Sequence, residues 1–199
     1  MKSISSLKKN ALYFSLLIAA SGSAIALHQN DHSDMSKAER VVATIEDGHL
    51  PAIQQLLNNG LDVNQDLDND GTPLIIAVQN GHKRVVEFLL SHGADVNLES
   101  ETDGNPLVAA ALSNELDLLT YLHQSGAEID AITEYDEKAL ISASRAGHFE
   151  IVKYLVEQGA DVNLGVVAKV RKGTELRTPL NGAKTARIRD FLVSHGARY

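Results

Sequence analysis

The sequence predicts an all-α solenoid of about five stacked helix-turn-helix repeats with projecting β-turn fingers, and three columns of residues predict it. The first is a turn whose glycine falls at 60, 93, 126, 159 and 196: Gly60-Leu61-Asp62-Val63-Asn64, Gly93-Ala94-Asp95-Val96-Asn97, Gly126-Ala127-Glu128-Ile129-Asp130, Gly159-Ala160-Asp161-Val162-Asn163 and Gly196-Ala197-Arg198-Tyr199. The intervals are 33, 33, 33 and 37 residues. The second column reads Gly48-His49, Gly81-His82, Asn114-Glu115 and Gly147-His148. The third reads Thr72-Pro73-Leu74, Asn105-Pro106-Leu107, Lys138-Ala139-Leu140 and, after an insertion, Thr178-Pro179-Leu180. Self-similarity at such a period marks a unit that cannot bury its own apolar face and must stack on its neighbours.

Ahead of the repeats, residues 1–26 have the composition of an export signal. Lys2, Lys8 and Lys9 give a positive start, an apolar stretch runs from Ala11 to Ala20 broken only by Ser15, and Ala24-Ile25-Ala26 offers small-x-small for cleavage. The apolar run is short for a span, which needs about 20 residues, so cleavage before Leu27 is expected over retention as an anchor. Residues 27–34 read as a polar linker and 35–199 as the repeat domain. The expected location is the bacterial periplasm or the outside, with no membrane contact after cleavage.

Within each repeat the residue types dictate the elements. Thr72 or Asn105 caps a helix N-terminus with its side-chain oxygen, and Pro73 or Pro106 then fits the first helical position, where no amide hydrogen is needed. The first helix ends at Gly81, Asn114 or Gly147, residues that tolerate a left-handed cap. A second helix carries paired apolar positions, Val85, Val86, Leu89 and Leu90, and likewise Ile151, Val152, Leu155 and Val156, a spacing that predicts one broad buried face. It stops at Gly93 or Gly159.

With these columns the chain resembles the ankyrin-repeat family over about residues 35–199, in repeats of about 35–67, 68–100, 101–133, 134–166 and 167–199. The first repeat has Glu39-Arg40-Val41 in place of Thr-Pro-Leu. Ile75, Val108 and Ile141 stand where the family usually has His, so apolar packing is expected in place of a polar network. Asp70, Asp103 and Asp136 stand at the family's fingertip glycine. The resemblance implies a non-catalytic protein-binding module that uses the concave face made by fingers and first helices.

Composition narrows the chemistry. With no Cys there are no disulfides, thiolate nucleophiles or Cys-type zinc sites. A net charge of −8 speaks against a nucleic-acid partner. The leading segment holds three Lys and no acid, so of the 18 basic and 26 acidic side chains 15 and 26 remain after cleavage, a balance of −11. No HExxH, GxSxG or P-loop is present, so neither catalytic residues nor a cofactor is expected. Asp66-Leu67-Asp68-Asn69-Asp70-Gly71 opens like an EF-hand loop, but its twelfth position, which should be a bidentate Glu, is Ala77. His49, His82 and His148 recur on period, as do His92 and His195, and read as helix caps. His123 sits in a column otherwise filled by Leu57, Leu90, Val156 and Val193; it is either buried and costly to charge or wet enough at this edge for nothing to follow.

The acids of the fingers stack one repeat apart: Asp68, Glu101 and Glu134 in one column, Asp70, Asp103 and Asp136 in another. Two readings apply, turn chemistry with solubility, and a negative stripe for a partner with a basic surface. The candidate partner-binding site joins these six acids to Tyr135 as aromatic anchor and to the first-helix residues Ile76, Gln79, Leu112 and Arg145 as its floor. The chain is expected to act as a monomer, either as an adaptor or sensor or as an immunity-type inhibitor. A cation-responsive module using the acidic fingers is the alternative, without a defined metal-ligand set. The last finger, 164–177, is seven residues longer than the period and carries Lys169, Arg171, Lys172 and Arg177. Its Val166–Thr174 core is compatible with a hairpin around Lys172-Gly173 or with an irregular surface loop, placed against its own chain's fingers or against a partner.

Overall fold

The computed structural model describes residues 36–67, 70–100, 104–131, 138–170 and 173–198. Contacts divide the chain into residues 1–34 and 35–199, and the account that follows is of the second unit. Its elements in chain order are α1 (Lys37–Glu46), α2 (Leu50–Asn58), α3 (Pro73–Gln79), α4 (Lys83–Ser91), α5 (Pro106–Ser113), α6 (Leu116–Gln124), α7 (Ala139–Ala146), α8 (Phe149–Glu157), β1 (Val166–Val170), β2 (Gly173–Arg177) and α9 (Ala186–Ser194). The odd helices α1 to α7 are the first helices of their repeats. They pack on one another in order, and α2 to α8 back them as a second layer.

The expected caps are in place. Thr72 Oγ1 accepts from Ile75 N at 3.3 Å and Asn105 Oδ1 from Val108 N at 2.9 Å, each followed by its proline. The first repeat solves the same problem differently. Its helix begins earlier, behind Ser36, whose hydroxyl accepts from Glu39 N while the Glu39 carboxylate accepts from Ser36 N. These bonds from Ser36 hold the Glu39 carboxyl below its usual range.

Ile75, Val108 and Ile141 are buried, as their apolar character predicts, beside Leu74, Leu107 and Leu140. In the second helices the buried face is narrower than predicted. Val85, Val86 and Leu89, and equally Ile151, Val152 and Leu155, are buried, whereas Leu90 and Val156 lie half-buried along the edge. Leu90 and Val156 come one residue, about 100° of helix, after the buried Leu89 and Leu155, which carries them to the flank of the buried face.

The turns between the helices need left-handed backbone, and those at Gly48, Gly81 and Gly147 also need space. Gly48 has φ +65° and Gly81 φ +71°. A Cβ on Gly48 would meet His82 Nδ1 at 2.8 Å, and one on Gly81 would meet Glu115 Oε1 at 3.0 Å. Each glycine thus lets a side chain of the next repeat lie across it.

The fifth repeat departs from expectation. Thr178-Pro179-Leu180 opens no helix; the chain makes one turn, with Gly182 N donating to Thr178 O and Ala183 N to Leu180 O, and then passes to α9. The sequence holds the reason: Pro73 to Gly93 and Pro106 to Gly126 each span 20 residues, and Pro179 to Gly196 spans 17. Three missing residues remove almost one helical turn. Leu180 is still buried, and Lys184 N still donates to Ser144 O at 3.0 Å, so the short repeat docks on α7 as a cap.

β1 and β2 pair antiparallel as a hairpin, with Val170 opposite Gly173. The hairpin reading thus holds for the paired strands, and Arg171 and Lys172, on which the predicted turn around Lys172-Gly173 falls, lie outside the described residues.

Candidate protein-binding face

The candidate floor is set by the ends of the first helices. Gln79, Leu112 and Arg145 lie one period apart at the C-terminal ends of α3, α5 and α7. Leu112 is 47% exposed, one of few large apolar side chains in that state. Gln79 is half-buried and Arg145 is exposed. Arg145 lies along the fifth repeat, where a Cβ on Gly182 would come within 2.6 Å of its Cγ.

Ile76 does not belong to this floor. It is only 2% exposed, and its counterparts Ala109 and Ser142 are buried too. Every residue from Pro73 to Val78 is buried, because α3 is packed between α1 and α5 and backed by α4, and only its last residue, Gln79, reaches the rim. The small residues Ala109 and Ser142 at the same place in the next repeats were the available signal of a crowded position.

Of the finger acids, Asp70 is described: it is half-buried, and its N–H donates to Leu67 O at 3.2 Å inside the turn that Leu67 N closes on Gly71 O. It belongs to the base of the first finger. Asp68, Glu101, Asp103, Glu134, Tyr135 and Asp136 lie outside the described residues. The base of the second finger is fixed by Ser100 N donating to Gly104 O at 2.9 Å. Among the described residues, no three His, Asp or Glu side chains converge as metal ligands would.

A feature that sequence reasoning missed is the ladder joining the repeats beneath the fingers. Asn64 Oδ1 accepts from Asp95 N at 2.8 Å while its Nδ2 donates to Gly93 O at 3.2 Å. Asn97 makes the same pair to Glu128 N and Gly126 O, and Asn163 to Arg198 N and Gly196 O. At the third rung the residue is Asp130, which accepts from Asp161 N at 3.0 Å but has no amide to donate. The signal was present, since the Asn recur every 33 residues or so at the end of each turn.

The histidines form a second ladder, as their periodicity predicts. His82 Nε2 donates to Glu46 O at 2.6 Å, and His148 Nε2 to Leu112 O at 3.1 Å. Lys184 Nζ takes the same role toward Ala146 O at 3.0 Å. These donors meet helix C-terminal carbonyls, where unsatisfied acceptors and the negative end of the helix dipole coincide. His49 Nδ1 instead accepts from Ala52 N at 3.3 Å, and the rings of His92 and His195 lie on Phe88 and Phe191. His123 is neither fully buried nor alone: it is half-buried, and its Nδ1 shares a hydrogen bond of 2.9 Å with the Tyr154 hydroxyl. A periodic counterpart cannot show such a partner, because it comes from the next repeat.

A sequence model of ankyrin repeats in three copies matches residues 14–100 and 98–165. The chain is a member of the ankyrin-repeat family. No curated protein matches the sequence. The first ankyrin match opens within the stretch read as an export signal, and the last stops just before the hairpin. The fifth repeat, with its lengthened finger and its missing helical turn, is the least ankyrin-like part of the domain. Ankyrin repeats are generally protein–protein interaction modules and are typically not catalysts.

Proposed function

We propose that this ankyrin domain is a non-catalytic protein-binding module, exported by a signal cleaved after Ala26 and working as a monomer in the periplasm. The observation that carries the binding reading is Leu112, an apolar side chain 47% exposed between Gln79 and Arg145, on a helix whose end is held by the next repeat. Interfaces draw most of their affinity from few apolar or aromatic anchors set in a polar surround, and a rigid anchor loses little entropy on binding. The chain's net negative charge favours a partner with a basic surface, speeding encounter more than deepening affinity. The net negative charge is unsuited to nucleic acid. The basic start, short apolar run and Ala24-Ile25-Ala26 support export. Within that location the role is that of an adaptor, a sensor or an immunity-type inhibitor.

The test is capture from a periplasmic extract by the purified chain from Leu27 onward, repeated with Leu112→Ala and with Arg145→Ala. A protein held by the wild type and lost with Leu112→Ala, at unchanged thermal stability, supports the reading. Equal retention by all three chains overturns the concave-face assignment. Recovery of Met1 at the N-terminus of the exported protein overturns the cleavage.

A further inference from the structure

The hairpin of the fifth repeat carries an apolar pair that the fold does not use. Val167 stands directly opposite Leu176 in the antiparallel ladder, so the two side chains leave on the same face as neighbours. Both are 58% exposed, more than any other large apolar side chain among the described residues. Their neighbours Val166 and Ala168 are buried, so the pair lies on the outward face. The support is firm. Asn181 Nδ2 donates to Leu176 O at 2.6 Å and Asn181 Oδ1 accepts from Thr178 N at 2.8 Å, which ties β2 to the turn that replaces the missing helix. At the other strand, a Cβ on Gly165 would lie 3.1 Å from Arg177 O, so the entering chain runs hard against β2.

Along the sequence the balance of charge reverses at this hairpin. Residues 35–166 hold seven Lys and Arg against 22 Asp and Glu; residues 167–199 hold eight against two. Such a step along one solenoid sets up a field that orients whatever approaches.

We propose that the outward face of this hairpin is a second protein-docking element, taking an acidic segment of the partner through an apolar side chain set on Val167 and Leu176. This rests on the protein-binding reading above and adds polarity to it: the partner lies with its basic surface over the earlier repeats and its acidic segment over the fifth. A second copy of this chain is the less suited occupant, because the domain's net negative charge keeps copies apart at long range.

The experiment uses the purified chain from Leu27 and a short fluorescein-labelled peptide alternating Glu with Leu, read by fluorescence anisotropy and by hydrogen exchange. Control peptides alternate Glu with Ser and Lys with Leu. The Glu-Leu peptide is expected to bind and to slow exchange in residues 166–177, with both controls weaker by about tenfold or more. Raising the ionic strength from about 0.01 M to about 0.15 M, which shortens the screening length from about 30 to about 8 Å, should weaken it. Val167→Ser with Leu176→Ser should reduce binding by about tenfold or more, since two anchors are removed. Leu112→Ala should leave it unchanged. The proposal fails if the double variant, shown folded by circular dichroism, binds as the wild type does. It fails equally if protection in the wild-type chain maps outside 166–177, or if light scattering shows a dimer that the double variant dissolves. None of these failures touches Leu112, so the concave-face reading stands or falls separately.

Discussion

The ring of His148, at the start of the fourth repeat's second helix, donates from Nε2 to the carbonyl oxygen of Leu112 in the repeat before it, at 3.1 Å. The exposed anchor of the candidate face is thereby fixed from behind by a neighbouring repeat, through a carbonyl at a helix end that has no partner within its own helix.

Loss of that donor should be felt both in stability and at the anchor. His148→Ala is expected to lower the unfolding free energy by about 1 kcal/mol and to speed amide exchange around Asn114 and Glu115. His148→Gln, which keeps a donor, should lose less. Denaturant unfolding with exchange measured on the same samples decides it, and an alanine variant indistinguishable from wild type in both would mean that the contact contributes nothing.

Lys138 is a buried lysine at a helix cap position. It occupies the position of the caps Thr72 and Asn105, offers α7 no side-chain cap, and is 3% exposed, with Nζ donating to Asp130 O at 3.2 Å. Burial pushes its ammonium below the ordinary lysine range, while Asp130 and then Asp161 pull it back up. The folded protein therefore binds this proton less tightly than the unfolded chain does. Charging Lys138 is a cost fully present below its folded pKa and relieved as pH rises from there toward the unfolded value. Lys138→Thr restores the cap and removes the cost, so it should stabilise by about 1 kcal/mol near neutrality, less so in alkali. Unfolding midpoints of both chains across neutral to alkaline pH test this; a gain that grows with pH would contradict it.

The asparagine ladder predicts a graded series. Asn97→Ala removes two bonds between repeats, to Gly126 O and from Glu128 N, and should cost about 1–3 kcal/mol. Asn97→Asp mimics the natural third rung and keeps only the accepting half, so its loss should be smaller. Urea midpoints in the order wild type, Asp, Ala are expected, and the reverse order for the two variants would refute the assignment.

Ser144 offers a simpler gain. Its side chain is fully buried in α7, its Oγ has no hydrogen-bond partner among the described residues, and its periodic counterpart is Ala111. Ser144→Ala removes an unsatisfied hydroxyl and replaces it with the better helix former, for a gain of about 1 kcal/mol. Calorimetry on the single variant is enough, and a lower melting temperature would show that the hydroxyl has a use.

The sequence alone determined the repeat, its period and the starts of α3 and α5, because those depend on local chemistry: Thr72 and Asn105 as caps, proline where no donor is needed, glycine where φ must be positive. It also placed Leu112, Gln79 and Arg145 on one line, since a strict 33-residue period carries any surface position to its equivalent. What it could not decide were matters of contact between repeats. Ile76 shares a helix with Gln79, and only the stacking of α3 between α1 and α5 turns one inward and leaves the other near water. His123 sits in an apolar column, yet a hydroxyl from Tyr154 in the next repeat meets its ring. The shortened fifth repeat was countable from Pro179 to Gly196, but that the chain would then close with a turn, a buried Leu180 and a clamped hairpin depends on how α7 receives it. A period fixes what each repeat is; burial and hydrogen bonding across the seams belong to pairs of repeats, and those pairs exist only once the chain is folded.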